Sequence, residues 1–206
     1  MPSHLITFEG PEGSGKSTQA RLLEEALRIR GINVKLTREP GGDPVSEDIR
    51  NILLDGEDHS VDDRAELFLY LAARAQHTER VIRPNLEAGT IVICARFTDS
   101  TVAYQGYGNG IDIELIHRMN DFATGGIAPD ITFLLDIDVE IGLRRQNEWN
   151  RMERKAVDFH RRVRQGFLEE ANHHPKRIVV LDASQDIETI FQQICQIIAE
   201  RLGIVV

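Results

Sequence analysis

The sequence predicts an α/β fold: a five-stranded parallel sheet with helices on both faces. Three observations predict it. Strand and helix signals alternate from end to end, the strand segments are near-continuous apolar runs, and 206 residues with no repeat or low-complexity linker suit one domain with a full core. In such a sheet, ligands bind beyond the carboxyl ends of the strands, so the residues just after each strand are the ones to read.

The elements follow in order. His4–Glu9 is a short strand running into a glycine-rich turn. Lys16–Arg30 is helical, with Ala20, Leu22, Leu23, Ala26 and Leu27 at helical spacing and Gly31 as the stop. Asn33–Thr37 is the second strand, followed by the turn Pro40-Gly41-Gly42 and a helix over Val45–Leu54. Asp62–Ala88 carries a long helical pattern, bent before Pro84. Thr90–Cys94 is the third strand, Ile111–Ala123 a helix, Asp130–Leu135 the fourth strand, and Val139–Arg145 starts another helix. Glu153–Asn172 is helical with Val157, Val163, Phe167 and Leu168 on one face; Arg177–Leu181 is the fifth strand and Ile187–Leu202 the last helix.

Composition narrows the function classes. With 24 basic against 33 acidic residues the net charge is −9, which argues against a nucleic-acid partner and against an anionic membrane surface. No apolar run approaches the roughly 20 residues of a membrane span, and the amino end lacks a secretory pattern. The two cysteines, Cys94 and Cys195, form no metal-like or redox-like pair and read as small core hydrophobes. These features together lead us to expect a cytoplasmic protein.

The first strand end carries the strongest motif. "GPEGSGKST" supplies Gly10, Pro11, Glu12, Gly13, Ser14, Gly15, Lys16, Ser17 and Thr18, and matches G-x-x-x-x-G-K-[ST] between a strand and a helix. The glycines let backbone N–H groups turn around phosphate oxygens, and the helix amino end adds partial positive charge. Lys16 is placed to reach the β- and γ-phosphates of ATP, and the Ser17 hydroxyl to bind Mg²⁺. No N-K-x-D base-reading motif of a GTPase is present, and the chain is too short for a motor or transport ATPase. What remains is a P-loop kinase acting on a small phosphorylated acceptor.

The other strand ends supply candidate acceptor groups. Arg38 follows the second strand; Arg96, Ser100, Thr101, Tyr104 and Gln105 follow the third; Asp136 and Asp138 follow the fourth. Tyr70 and Arg74 lie one helical turn apart on one face of the long helix. By residue type alone Tyr70 also fits a core position, Arg74 a surface ion pair and Tyr104 a loop anchor.

Several motifs in joint order carry a resemblance over nearly the whole chain: "FEGPEGSGKSTQ", "TREPGG", the "AAR" of the long helix, "RFTDSTVAYQGYG", "PDITFLLDI", "RMER" and "LDAS". The sequence resembles the bacterial thymidylate kinase (dTMP kinase) family. The resemblance implies phosphoryl transfer from ATP to dTMP in a homodimer. It assigns Arg38 and Arg96 to the dTMP phosphate, and Tyr70, where the family more often has Phe, to stacking on thymine. Arg74 takes the thymine edge. Ser100, Thr101 and Gln105 belong to the base and sugar pocket, and Tyr104 packs under the deoxyribose against a 2′-hydroxyl. Glu12 approaches the sugar 3′-hydroxyl or the metal. A kinase for another nucleoside monophosphate is the alternative.

A lid is expected at about residues 145–155. From Arg144 to Arg164 the chain has eight basic and three acidic residues, a local balance of +5 in a protein of −9. Arg161, Arg162 and Arg164 read as a solvated helix face, whereas "RRQNEWNRMER" lacks clean periodicity. The family carries a catalytic arginine either in the P-loop or in the lid. Here Gly13 follows Glu12 in the P-loop, so the role falls to the lid: Arg151 first, then Arg145 and Arg154. Arg144 at the lid start and Ala183–Gln185 lie on the ATP side. One departure stands out. Where the family has Asp-Arg-aromatic, this chain has Ala95-Arg96-Phe97, so a carboxylate beside Mg²⁺ is replaced by a methyl group. A nucleotide-binding form with impaired transfer is the reading that this departure leaves open.

Overall fold

The computed structural model describes residues 3–54, 61–145 and 155–206. Five strands form one parallel sheet in the order β2-β3-β1-β4-β5: β1 (Leu5–Glu9), β2 (Val34–Arg38), β3 (Ile91–Ala95), β4 (Ile131–Asp136) and β5 (Ile178–Asp182). The bounds differ from the sequence expectation by a residue or two, as fraying ends do. β1 and β3 are buried along their whole length, whereas the edge strands β2 and β5 are only partly covered.

Both faces of the sheet are covered. On one face, Ile6 and Phe8 of β1 pack with Leu23 and Leu27 of α1 (Lys16–Ile29) and with Ile190, Ile194 and Ile198 of α9 (Ile187–Leu202). On the other, Leu5, Val92 and Cys94 pack with Ile82 and Phe97. Side-chain alternation along each strand makes this division, which is why an all-apolar strand needs two helical layers. The remaining helices are α2 (Pro44–Leu54), α3 (Asp63–His77), α4 (Arg83–Glu87), α5 (Thr98–Thr101), α6 (Ile113–Thr124), α7 (Val139–Arg144) and α8 (Val157–His173).

The long helical pattern is present: α3 passes through a widened π-type segment at Thr78–Ile82 into α4, with Pro84 in its first turn. Proline has no N–H for the preceding turn and its ring crowds that carbonyl, so a widened turn just before it is the physical solution. Thr98–Gly108, to which the sequence assigned no element, is helical: α5 passes into a π-type segment over Val102–Gly108. Arg164 is no solvated face residue, since it grips Asp136 at the end of β4 through two hydrogen bonds of 2.7 and 2.8 Å. Cys94 is buried and Cys195 half-buried, and both are free thiols. Among the described residues no helix is long and apolar enough to cross a membrane.

Candidate active site

The P-loop follows β1 and runs into α1. Gly10 has φ of 139° and Gly13 of 68°, values that side chains rarely adopt. Space forbids a side chain as well: a Cβ on Gly10 would meet the Leu135 carbonyl, and one on Gly13 the Gly142 backbone of α7. The loop is thus wedged against β4 and α7, whereas a Cβ on Gly15, in the left-handed region at the α1 amino end, would meet nothing within 4 Å. No acidic residue occupies the first turn of α1, so its positive end is unopposed there. The Lys16 ammonium is folded into the loop, donating to the Gly10 and Pro11 carbonyls at 3.0 and 2.6 Å and to Ser14 Oγ at 3.1 Å.

Arg96 joins this loop to the next site. It is the residue after β3, and its φ of 68° is unusual for a side-chain-bearing residue. Glu9 at the end of β1 stabilises that turn, accepting from the Phe97 N–H at 2.7 Å, the Ser100 N–H at 3.2 Å and the Ser100 hydroxyl. Burial, with Asp99 adding to it, pushes the Glu9 carboxyl up to about 7. The strained turn aims the Arg96 guanidinium back at the P-loop, 2.8 Å from Glu12 Oε2 and 3.3 Å from the Gly10 carbonyl. It also lies 5.0 Å above the Tyr104 ring, and the Tyr104 hydroxyl donates to Glu12 Oε1 at 2.8 Å. Burial alone would raise the Glu12 carboxyl, but Arg96, Lys16 and the Tyr104 hydroxyl outweigh it and hold it down at about 2. Glu12 is therefore an anion at neutral pH, and its partner Arg96 is held still more firmly as a cation.

Beyond Arg96 opens a cavity of about 170 Å³, lined by Glu12, Glu39, Pro40, Arg50, Leu54, Tyr70, Arg74, Arg96, Ser100, Thr101, Tyr104 and Gln105. Its lining combines three arginines with two tyrosine rings and with amide and hydroxyl groups. Such a cavity, beside a phosphate cradle, fits a small anion with a flat body.

The thymidylate kinase family profile matches residues 8–194. The chain belongs to the thymidylate kinase family. It is 48% identical over 199 residues to a thymidylate kinase of Desulfovibrio desulfuricans, covering 92% of each chain. It is 46% identical over 210 residues to one of Latilactobacillus sakei, covering 97% of this chain and 96% of that one. Its fold is similar to the crystal structure of thymidylate kinase from Ehrlichia chaffeensis, with a TM-score of 0.79 and 39% identity over 96% of this chain and 99% of that one.

Within this thymidylate kinase fold, eight of the nine acceptor-side candidates line the cavity; Arg38 does not. Arg38 ends the edge strand β2 and is half exposed, paired with Glu47 at 3.0 Å. Arg50 of α2 lines the cavity instead, anchored to the Pro40 carbonyl at 3.0 Å. Arg74 is 2% exposed and gives four of its five N–H donors to protein: Glu39 at 2.8 Å, Thr101 at 2.7 Å, Asn120 at 2.6 Å and the Phe97 carbonyl at 2.9 Å. Glu39 in turn holds His77 at 2.9 Å. Burial would raise the Glu39 carboxyl, but Arg74 and His77 outweigh it and lower it.

Glu9, Glu39, Arg50 and Leu54 were not found by reading the sequence. Glu39 stands inside "TREPGG" and Arg50 on α2 two turns after it, so the signals were proximity to a strand end and a cation on the helix after it. Arg145 reaches the Gly13 carbonyl at 3.4 Å and the Ala183 carbonyl at 3.1 Å, which ties the end of α7 to the P-loop and to the segment after β5; most of the expected lid lies outside the described residues. Arg144 is exposed at the end of α7. Arg151 and Arg154 lie outside the described residues. Ala95 closes β3 at 9% exposure, in register with Phe8 and Arg38.

Proposed function

We propose that this chain transfers the γ-phosphoryl group of ATP to the phosphate of dTMP, giving ADP and dTDP. Arg96 carries the reading: one guanidinium touches the P-loop at Glu12 and Gly10 and stands in the wall of the acceptor cavity. The two phosphates of an in-line transfer must meet at such a point. A phosphate monoester has its second pKa near ~6, so the dTMP nucleophile is already largely ionised at neutral pH and needs no strong base. Alignment and charge neutralisation are then the whole of the catalysis.

The roles follow the cavity. Gly10 to Thr18 wrap the ATP phosphates, with Lys16 leaving the loop carbonyls for the β- and γ-phosphates, and Arg144 on the ATP side. Arg96 and Arg50 receive the dTMP phosphate, with Arg38 beside them at the rim. Tyr70 stacks on the base, and Tyr104, packed against Phe159 and Phe167, forms the floor under the sugar. Glu12 faces the sugar and metal side. Ser100 and Thr101 line the wall between them.

Mg²⁺ fits the donors present. Among the described residues no group of three or more His, Cys, Asp or Glu could hold a metal ion, and Glu9 and Asp136 are engaged with α5 and Arg164. The exposed Ser17 hydroxyl is left as a donor, and Mg²⁺ is an ion that takes one protein oxygen alongside phosphate oxygens and water. Bound there, it would neutralise charge on the β- and γ-phosphates.

We read residues 1–206 as one P-loop kinase domain whose lid, about 145–155, brings Arg151 onto the transferring group. A homodimer through α3 and α6 is supported by Phe68 and Phe122, which are 61% and 90% exposed on two helices that pack together. A cytoplasmic location accords with the charge and composition. A panel of nucleoside monophosphates offered with ATP tests the acceptor: dTMP is expected to lead, and UMP or CMP ahead of it by an order of magnitude overturns the reading.

Ala95 favours a second element, reduced turnover. A methyl group stands at the end of β3, in register with Phe8 of β1, and the neighbouring Glu9 is committed to the α5 turn. Losing one preorganised charge-handling group costs about 10²–10³ in rate. Ala95→Asp is therefore expected to raise turnover at least tenfold with little change in nucleotide affinity; equal rates in the two forms remove Ala95 from the catalysis.

A further inference from the structure

Gln105 offers the acceptor cavity an amide with two opposite halves, and Glu66 determines which half faces it. Glu66 comes from α3, and it is fully buried. Its Oε1 accepts from Gln105 Nε2 at 2.8 Å and from Asn109 Nδ2 at 3.1 Å, with Lys155 Nζ 3.9 Å away. As the acceptor of both bonds, Glu66 Oε1 takes the N–H half of the Gln105 amide and turns Gln105 Oε1 the other way. Gln105 is 1% exposed and lines the cavity. Arg74, whose guanidinium has one N–H left after its four partners among the described residues, lines it too. The base end of the cavity therefore offers an acceptor from Gln105 and a donor from Arg74.

The edges of pyrimidines read this pattern with opposite results. Thymine and uracil carry an N3–H donor beside the O4 acceptor. Cytosine carries an N3 acceptor beside an N4–H donor. The first pattern pairs with both groups; the second sets donor against donor and acceptor against acceptor. We propose that Glu66 is a specificity-determining positioning residue: by fixing the amide of Gln105 it makes the cavity accept a pyrimidine with N3–H and reject cytosine. This rests on the dTMP reading above and names the residue behind its base selectivity. A site whose buried polar groups would be left mispaired discriminates far more strongly than one that only excludes by shape.

The test compares dTMP with 5-methyl-dCMP, which keeps the methyl group and differs only along the N3 and C4 edge. In Glu66→Gln, residue 66 offers both a carbonyl and an amino group, so Gln105 is free to present either half. The ratio of kcat/KM for dTMP over that for 5-methyl-dCMP is expected to fall at least tenfold, with KM for ATP unchanged. Glu66→Asp, still acceptor-only, is expected to keep the ratio even where rate is lost. A purely structural role for Glu66 predicts equal losses on both substrates, and an unchanged ratio in a folded Glu66→Gln protein overturns the proposal. Should thermal melting show that variant unfolded, Gln105→Met decides: a ratio equal to that of the parent chain means the amide does not read the edge. A chain that turns over neither substrate, in the Ala95→Asp form as well, sinks the dTMP reading instead, and is seen before any Glu66 variant is made.

Discussion

Replacing Arg96 by alanine is expected to lower kcat/KM for dTMP by about 10³-fold, the scale of a transition-state arginine or a lost oxyanion-hole donor. The side chain has three tasks at once. In the proposed reaction it neutralises the acceptor phosphate; it also holds Glu12 as an anion and lies over the Tyr104 ring in the cavity wall. ATP affinity is expected to change much less, because the P-loop keeps its backbone donors and Lys16. Arg96→Gly separates the side chain from the backbone. Glycine relieves the left-handed φ of 68° that alanine would retain, so the two variants differ in stability yet lose activity alike. Steady-state kinetics with melting curves for both check this. More than a tenth of the parental rate in either variant removes Arg96 from the transfer.

Replacing Arg74 by methionine is expected to destabilise the chain by about 3–5 kcal/mol, the usual cost of breaking one side of a buried ion pair. For a domain of this size that lowers the melting temperature by roughly 10 °C. The loss is larger than a surface arginine would give because Glu39, 5% exposed, keeps His77 but loses its nearest cation. The pH dependence has a defined sign. In the parent chain the Glu39 carboxyl is lowered, so its contribution is present above the ordinary carboxyl range and is lost as pH falls. Without Arg74, burial dominates and the carboxyl rises, so its charge costs stability as pH rises. The variant should thus be further from the parent at pH 8 than at pH 5. A melting temperature within 2 °C of the parent at both values contradicts this role.

The sequence made the sheet and the cradle legible, because each depends on residues close together in the chain. β1, the Gly-Lys-Ser turn and α1 form one continuous stretch, and the end of β3 was marked by an arginine after an apolar run. What stayed hidden were pairings across long separations. Glu9 meets Ser100 across 91 residues, Arg74 meets Glu39 across 35, and Gln105 meets Glu66 across 39. No local pattern distinguishes these buried carboxylates from solvated ones. Arg38 and Arg50 show the same limit on the acceptor side. Both are cations near one strand end, and only the packing of α2 against α3 puts Arg50 in the wall. Thr98–Gly108 was hidden for another reason: a short helix passing into a widened turn has no clean period of 3.6.

Phosphorus NMR of the chain with ATP, dTMP and Mg²⁺ decides whether the phosphoryl group reaches dTMP. dTDP and ADP are expected to appear one for one, and neither to form when dTMP is left out. ADP released without dTDP, or a mixture that stays as ATP and dTMP in the Ala95→Asp protein as well, contradicts it.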